Sequence, residues 1–270
     1  MNQTKLNQVK QILHDMQRVI VAYSGGVDST LLAYLAHTEL GANALAVTLV
    51  SPSLPHADLR QAQEIAHQFG FAHETLQSHE LDNANYLSNT PQRCYFCKQD
   101  TYRLLQETAH RRGFQHIANG ANLDDAGDYR PGHKAGLEAG VRSPFLEAGL
   151  SKRQIRELAS ALGLPNWDKP AAACLASRIP YGTPITIQRL AQVEQAEGVL
   201  HSLGFRQLRV RAHDSIARIE LAPDEFALAL DHRRQIVSQL KALGFAFVAL
   251  DLAGYQTGSL NQLIETNHEL

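Results

Sequence analysis

Val19-Ile20-Val21-Ala22-Tyr23-Ser24-Gly25-Gly26-Val27-Asp28-Ser29-Thr30 is an apolar, β-branched run that ends in a Ser/Gly turn and runs into a leucine-rich segment. That order predicts a buried strand, a tight turn and a helix N-terminus. Gly25 and Gly26 let the backbone take positive φ and approach a ligand without a Cβ in the way. The unpaired N–H groups of the helix start, with the positive end of the dipole behind them, form a site for phosphate. Asp28 and Ser29 are expected to cap the helix, and Ser24 and Ser29 supply hydroxyl donors. Asp28 has a second possible task, holding a divalent metal such as Mg²⁺ against the phosphates.

Spacing excludes two familiar phosphate loops, since the chain has neither G-x-x-x-x-G-K-[ST] nor G-x-G-x-x-G. Ser24-Gly25-Gly26-Val27-Asp28-Ser29 directly after a strand resembles the pyrophosphate (PP) loop of the ATP pyrophosphatase superfamily. The resemblance implies cleavage of ATP between its α and β phosphates and transfer of AMP to a substrate oxygen. A glycine turn with no ligand is the competing reading.

The flanking sequence alternates strand and helix. Strands are expected at Ala44–Val50, Ala72–Leu76 and His116–Asn119, with helices between them, which predicts a parallel, doubly wound α/β sheet. Ligands of such sheets bind beyond the carboxyl ends of the strands. Gly120 therefore either lets a nucleotide approach the end of its strand or is a plain turn. The boundary of the first domain is placed at residue 180. Residues 181–270 read α-β-β-α-β, a smaller α+β domain, with Arg209 and Arg211 on one face of the strand at Leu208–Ala212.

Composition sets the outer limits. The 270 residues are 44% hydrophobic and 19% charged, with 25 basic and 27 acidic side chains, so neither a basic face for nucleic acid nor an acidic tail stands out. No apolar run reaches the roughly 18 residues of a membrane span, and the polar opening Met1-Asn2-Gln3-Thr4-Lys5 is unlike a signal peptide. A cytoplasmic protein with neither nucleic-acid nor membrane partner is expected.

Two of the three cysteines form Cys94-Tyr95-Phe96-Cys97, one helical turn apart. In a reducing compartment that spacing reads as a metal or cluster clip, or a redox pair, before a structural disulfide. Cys174 lies far along the chain, and three thiolates can hold a four-iron cluster with one iron open. Zinc with a histidine as fourth ligand is another solution. Cys174 is alternatively a small buried residue among alanines, or a sulfur donor whose thiolate Arg178 favours. Arg209 and Arg211 suit a phosphate monoester, with Ser177 and Arg178 completing the pocket. Cross-strand pairing with Glu220 is the bland alternative. Glu194 and Glu197 stand as a metal pair or as helix surface.

Ser24–Ser29, Asp128-Tyr129-Arg130-Pro131-Gly132, Ala176-Ser177-Arg178-Ile179-Pro180-Tyr181-Gly182-Thr183, Arg209-Val210-Arg211 and Arg218-Ile219-Glu220-Leu221 together resemble the LarE family across nearly the whole chain. The resemblance implies ATP-dependent adenylation of pyridinium-3,5-biscarboxylic acid mononucleotide, then sulfur attack and loss of AMP, on the way to the nickel-pincer cofactor of lactate racemase. One branch of the family gives up the sulfur of a single cysteine at the position of Cys174. Cys94 and Cys97 are instead the pattern of the branch that binds a [4Fe-4S] cluster fed by a sulfide source, which places all three thiols at one centre. By the same resemblance Ser177, Arg178, Arg209 and Arg211 hold the substrate phosphate, and Lys98 and Arg130 meet the nucleotide or a substrate carboxylate. Glu197 and Glu220 match carboxylates near a bound metal, although a third is missing. The family assembles as hexamers, so a homo-oligomer is expected. A tRNA thiolase and a non-catalytic nucleotide sensor are the competing functions.

Overall fold

In the computed structural model, which describes residues 2–125, 131–170 and 173–256, the run Val19–Ala22 is the strand β1. In chain order the helices are α1 (Asn2–Met16), α2 (Val27–Leu40), α3 (His56–Phe69), α4 (Ala84–Leu87), α5 (Arg93–Arg112), α6 (Pro131–Glu138), α7 (Pro144–Glu147), α8 (Lys152–Ala161), α9 (Ile187–Ser202), α10 (Phe226–Asp231) and α11 (Arg233–Ala242). The remaining strands are β2 (Ala44–Val50), β3 (His73–Gln77), β4 (His116–Ala118), β5 (Leu208–His213), β6 (Ile216–Leu221) and β7 (Phe247–Leu250). The chain divides into two compact units, Met1–Asn83 with Cys94–Ala172, and Ala84–Arg93 with Ala173–Leu270.

The first unit is built on a parallel sheet in the order β3-β2-β1-β4. Side chains of a strand alternate between its two faces, and β1 shows this directly. Val19 and Val21 enter one core with α1, α2, α3, α7 and α8, while Ile20 enters a second core with Tyr102, Leu105 and Ala109 of α5 and Ala135 of α6. Covering both faces is why β1 and β2 read as unbroken apolar runs. Burial of Val19, Ile20 and Val21, each fully inaccessible, contributes about 1.5–3 kcal/mol per side chain. Helix α2 lies so deep that Leu31, Leu32, Leu35 and Ala36 are all buried, as its leucine spacing predicts. The chain leaves β1 toward β2 on one side and returns as β4 on the other, so the topological switch lies between β1 and β4.

The second unit pairs β5 and β6 antiparallel and β6 and β7 parallel. Leu208, Val210, Ala212, Ala217, Ile219 and Leu221 fill one buried face, matched by Leu190, Val193, Ala196 and Leu200 of α9. His232 separates α10 from α11. Ala84–Arg93 belongs to this unit through Asn89, which is wholly buried at φ 52°. Asn89 Nδ2 lies 2.8 Å from the Pro180 carbonyl and 2.9 Å from that of Thr183, tying together a segment its own sequence leaves irregular.

Candidate active site

The turn after β1 is held from two sides. Gly25 sits at φ 73°, and a Cβ there would come 2.9 Å from Ala62 Cβ of α3. On the other side Asn166 Nδ2 donates to the Gly25 carbonyl at 3.0 Å and to Thr30 Oγ1 at 2.9 Å. Ser24 and Ser29 hydroxyls lie 3.0 Å apart, and Ser29 Oγ donates to the Gly26 carbonyl at 3.1 Å. The helix cap is Gly26 in extended conformation, with no side-chain cap, and not Asp28 or Ser29, which lie inside the first turn of α2. The physical reason is useful: a glycine cap supplies no oxygen to compete for the first amides of the helix, which leaves them to a ligand.

Asp28 and the turn after β4 meet at the switch point. The ideal Cβ of Gly120 would lie 2.9 Å from both Asp28 Cβ and Ser29 N, so this glycine is required by the close approach of α2. Asp28 Oδ2 accepts a hydrogen bond from Lys152 Nζ at the start of α8. Its Oδ1 is buried with no hydrogen-bond partner among the described residues. Burial pushes the Asp28 carboxyl above the ordinary range; the Lys152 ammonium pulls it back, and Asp125 pushes it further up. Asp125 Oδ2 accepts from Asn122 N at 3.0 Å, and Asp124 Oδ2 accepts from Lys152 N at 2.6 Å. Lys152, Asp124, Asp125 and Asn166 were not singled out by motif reading. The one local sign was Ser151-Lys152-Arg153-Gln154, a capping box that puts Lys152 at a helix start.

Cys94 and Cys97 lie one turn apart at the beginning of α5, Cys94 exposed and Cys97 half-buried. Lys98 follows, exposed, with its stem close against Gly132 at the start of α6, where a Cβ would come 3.0 Å from Lys98 Cγ. Arg130 and the preceding Asp128 and Tyr129 lie outside the described residues. Among the described residues no three His, Cys, Asp or Glu side chains are gathered as a ready-made metal cage.

In the second unit Cys174 is half-buried and caps a short 3₁₀ turn, Leu175–Arg178. Arg178 Nη1 donates back to the carbonyls of Ala173 and Cys174 at 2.5 and 3.0 Å and lies 3.1 Å from Ser177 Oγ. Its remaining edge makes a two-point contact with Glu197, at 2.9 and 3.0 Å. Arg211 contacts both oxygens of Glu220 at 3.0 and 2.8 Å and donates to the Ser177 carbonyl at 2.8 Å. Arg218 joins Glu220 to Asp251. Glu197 and Glu220 thus hold arginines. Glu197 also accepts from Val210 N at 3.0 Å, so it is no exposed helix carboxylate.

Arg209 differs. Its guanidinium lies 5.2 Å from the Tyr255 ring centroid and donates to the Leu208 carbonyl, and it makes no ion pair among the described residues. Burial, and then the neighbouring Arg178, lower its pKa.

A doubly wound parallel sheet with this glycine turn at its switch point defines an ATP-binding domain of the pyrophosphate-loop class, and residues 3–100 match the family model for NAD synthase. An uncharacterized protein of Synechocystis sp. is 45% identical over 98% of this chain and 99% of its own length. The pyridinium-3,5-bisthiocarboxylic acid mononucleotide synthase of Lactiplantibacillus plantarum is 39% identical over 97% of this chain and 95% of its own. An uncharacterized protein of Methanocaldococcus jannaschii is 27% identical over 89% and 92%. The chain belongs to the LarE family, that of the pyridinium-3,5-bisthiocarboxylic acid mononucleotide synthases.

Proposed function

We propose that this protein is an ATP-dependent sulfurtransferase that inserts sulfur into pyridinium-3,5-biscarboxylic acid mononucleotide during nickel-pincer cofactor synthesis. The observation that carries the reading is the glycine-capped α2, with Gly25, Gly120 and Asp28 shaped around its first turn, in a chain related along nearly its whole length to a synthase of the bisthiocarboxylic product. A carboxylate is a poor electrophile until its oxygen attacks the α-phosphorus of ATP and pyrophosphate leaves. AMP is then the leaving group when sulfur attacks the acyl carbon. The amides of α2 stabilise negative charge growing on the departing pyrophosphate. The unpartnered Asp28 Oδ1 fits a Mg²⁺ ion, which would screen the triphosphate.

In the second unit Arg209, supported by Ser177, Arg178 and Arg211, takes the phosphate of the mononucleotide. Glu197 and Glu220 hold the other two guanidiniums in place. Lys98 and Arg130 meet the nucleotide or a substrate carboxylate. Cys94, Cys97 and Cys174 are the three thiols to which the family resemblance assigns a [4Fe-4S] cluster, which would supply sulfide sulfur taken from a cellular sulfide source. The reading extends to the cytoplasmic location and the hexameric assembly that the family resemblance implies.

Oxygen-free purification tests this. The expected protein is brown, with iron and sulfide each near about four per chain, and Cys94→Ala lowers both. It converts ATP to AMP and pyrophosphate only with the pyridinium mononucleotide present. A colourless, iron-free protein that forms thiocarboxylate once per chain transfers the donor role to Cys174, and salt-sensitive binding of tRNA favours a tRNA thiolase.

A further inference from the structure

After α8 runs a short strap, Leu164-Pro165-Asn166-Trp167-Asp168-Lys169. Both of its ends are anchored. Leu164 is fully buried in the core it shares with Val21 and Leu31. Lys169 Nζ donates to Asp58 Oδ1 at 2.9 Å and to Gln61 Oε1 at 2.6 Å, both on α3, and Arg156 Nη2 donates to the Lys169 carbonyl at 3.0 Å. Asn166 stands between these anchors and is 1% exposed, so a frame of other contacts aims its amide at the glycine turn.

The amide nitrogen donates to the Gly25 carbonyl and to Thr30 Oγ1. A carbonyl only accepts, so it is Nδ2 and not Oδ1 that must face it. The peptide joining Gly25 to Gly26 is planar, with its C=O and N–H opposed. Holding the carbonyl toward Asn166 therefore turns the Gly26 N–H the other way, where Ser24 Oγ lies at a long 3.4 Å. Glycine on both sides leaves this plane without a steric lock. The reversed plane would bring the N–H inward, and Asn166 Oδ1 is buried with no hydrogen-bond partner among the described residues. A half-turn of the amide would offer that oxygen to it.

From this geometry we propose that Asn166 is a positioning residue that selects between two orientations of the Gly25–Gly26 peptide, its Nδ2 holding the one that presents the Gly26 amide to a phosphate oxygen. The inference rests on the ATP-site reading above. Asn166 acts through the turn and not by contact with the nucleotide. It sets the direction of a backbone dipole before the ligand arrives, which spares binding the cost of turning the plane. A side chain that only accepts would select the reversed plane and put a carbonyl oxygen where the phosphate lies.

Equilibrium binding of an ATP analogue carrying methylene between the α and β phosphates, with Mg²⁺ and full-length protein, tests this. Each affinity is taken relative to wild type at the same pH, so that ionisation of the ligand cancels, and urea denaturation checks that each variant is folded. Asn166→Ala removes the donor and is expected to weaken binding about tenfold, whatever the pH. Asn166→Asp has the same shape but only accepts when ionised, so at about pH 8 it is expected to weaken binding about a hundredfold. Burial raises the pKa of such a carboxyl, and its neutral form carries an O–H for the Gly25 carbonyl, so at about pH 5.5 the loss is expected to shrink to about tenfold or less. A second measurement does not depend on the aspartate variant. Gly26 has φ −76°, which alanine accepts, whereas the reversed plane needs a positive φ that alanine avoids. In a Gly26→Ala background, Asn166→Ala is therefore expected to cost less than about twofold. Wild-type affinity in Asn166→Ala overturns the proposal, as does an Asn166→Asp loss independent of pH or an equal alanine cost in both backgrounds. If wild-type protein does not bind the analogue, the ATP-site reading itself falls, and this inference falls with it.

Discussion

Arg178 presents Nε and Nη2 to the two carboxylate oxygens of Glu197 at 2.9 and 3.0 Å, and both side chains are almost completely buried. The arginine is therefore paired before any substrate arrives, and both oxygens of the glutamate are engaged by it. Removing one partner of such a pair leaves an uncompensated buried charge, whereas replacing both by apolar groups costs little.

Glu197→Ala is accordingly expected to lower the unfolding free energy by about 3–5 kcal/mol, read from urea denaturation. The double variant Arg178→Met with Glu197→Leu is expected to recover most of that loss. A midpoint for Glu197→Ala equal to that of wild type would show that the pair does not carry the second unit.

Arg209 and Arg211 are expected to separate in their effects. Glu220 is fully inaccessible and shared by Arg211 and Arg218, so Arg211→Met removes two of its charged hydrogen bonds, leaves Arg218 as counter-ion, and destabilises by about 1.5–3 kcal/mol. Arg209 stacks on Tyr255 and makes no ion pair among the described residues, so Arg209→Met is expected to change stability by less than about 1 kcal/mol. The same substitution is expected to weaken binding of the mononucleotide at least tenfold, the scale of a lost charged hydrogen bond. Calorimetric titration and urea denaturation of the two variants check this split.

Gly120→Ala places a methyl group 2.9 Å from Asp28 Cβ and Ser29 N. Overpacking of that kind costs about 1–3 kcal/mol, and here the strain falls on the first turn of α2. ATP binding is expected to be lost while the fold survives. Gly198→Ala, in the interior of α9 with nothing within 4 Å of the new methyl, is expected to raise stability by about 0.5–1 kcal/mol and leave binding unchanged.

Acid weakens the protein through two histidines. Burial lowers the pKa of His73, against the pull of Glu74, and the pKa of His213 is lowered by burial and then by Arg218 and Arg211. The unfolded chain binds these protons more readily than the folded one, so stability is held above the ordinary histidine value of 6.5 and falls as pH drops below it. The denaturation midpoint is expected to be lower at pH 5.5 than at pH 7.5, with a smaller difference in His73→Gln. A midpoint independent of pH in that range would contradict this.

The glycine turn between β1 and α2 was legible because each of its requirements is local. The apolar run of β1, the paired glycines and the leucine spacing of α2 lie within about twenty consecutive residues, where strand and helix periods show directly. The parallel sheet followed from the alternation of strand and helix. Spacing alone misplaced the cap of α2, since Ser and Asp suit that position but the backbone stays extended through Gly26.

Contacts between remote residues depended on the tertiary structure. Lys152 meets Asp28 across 124 positions, and Asn166 braces Gly25 across 141. The arginines on β5 were readable as a phosphate motif, yet only the side-chain contacts showed that Glu220, which stands opposite Arg209 in the strand register, takes Arg211 on the diagonal instead. By itself, the sequence determined most of the elements, the class of sheet and the position of the glycine turn. The tertiary structure decided which charges are neutralised internally and which remain for a ligand. Helix and strand preferences depend on near neighbours along the chain, whereas charge pairing depends on which distant side chains the packed core brings within hydrogen-bonding distance.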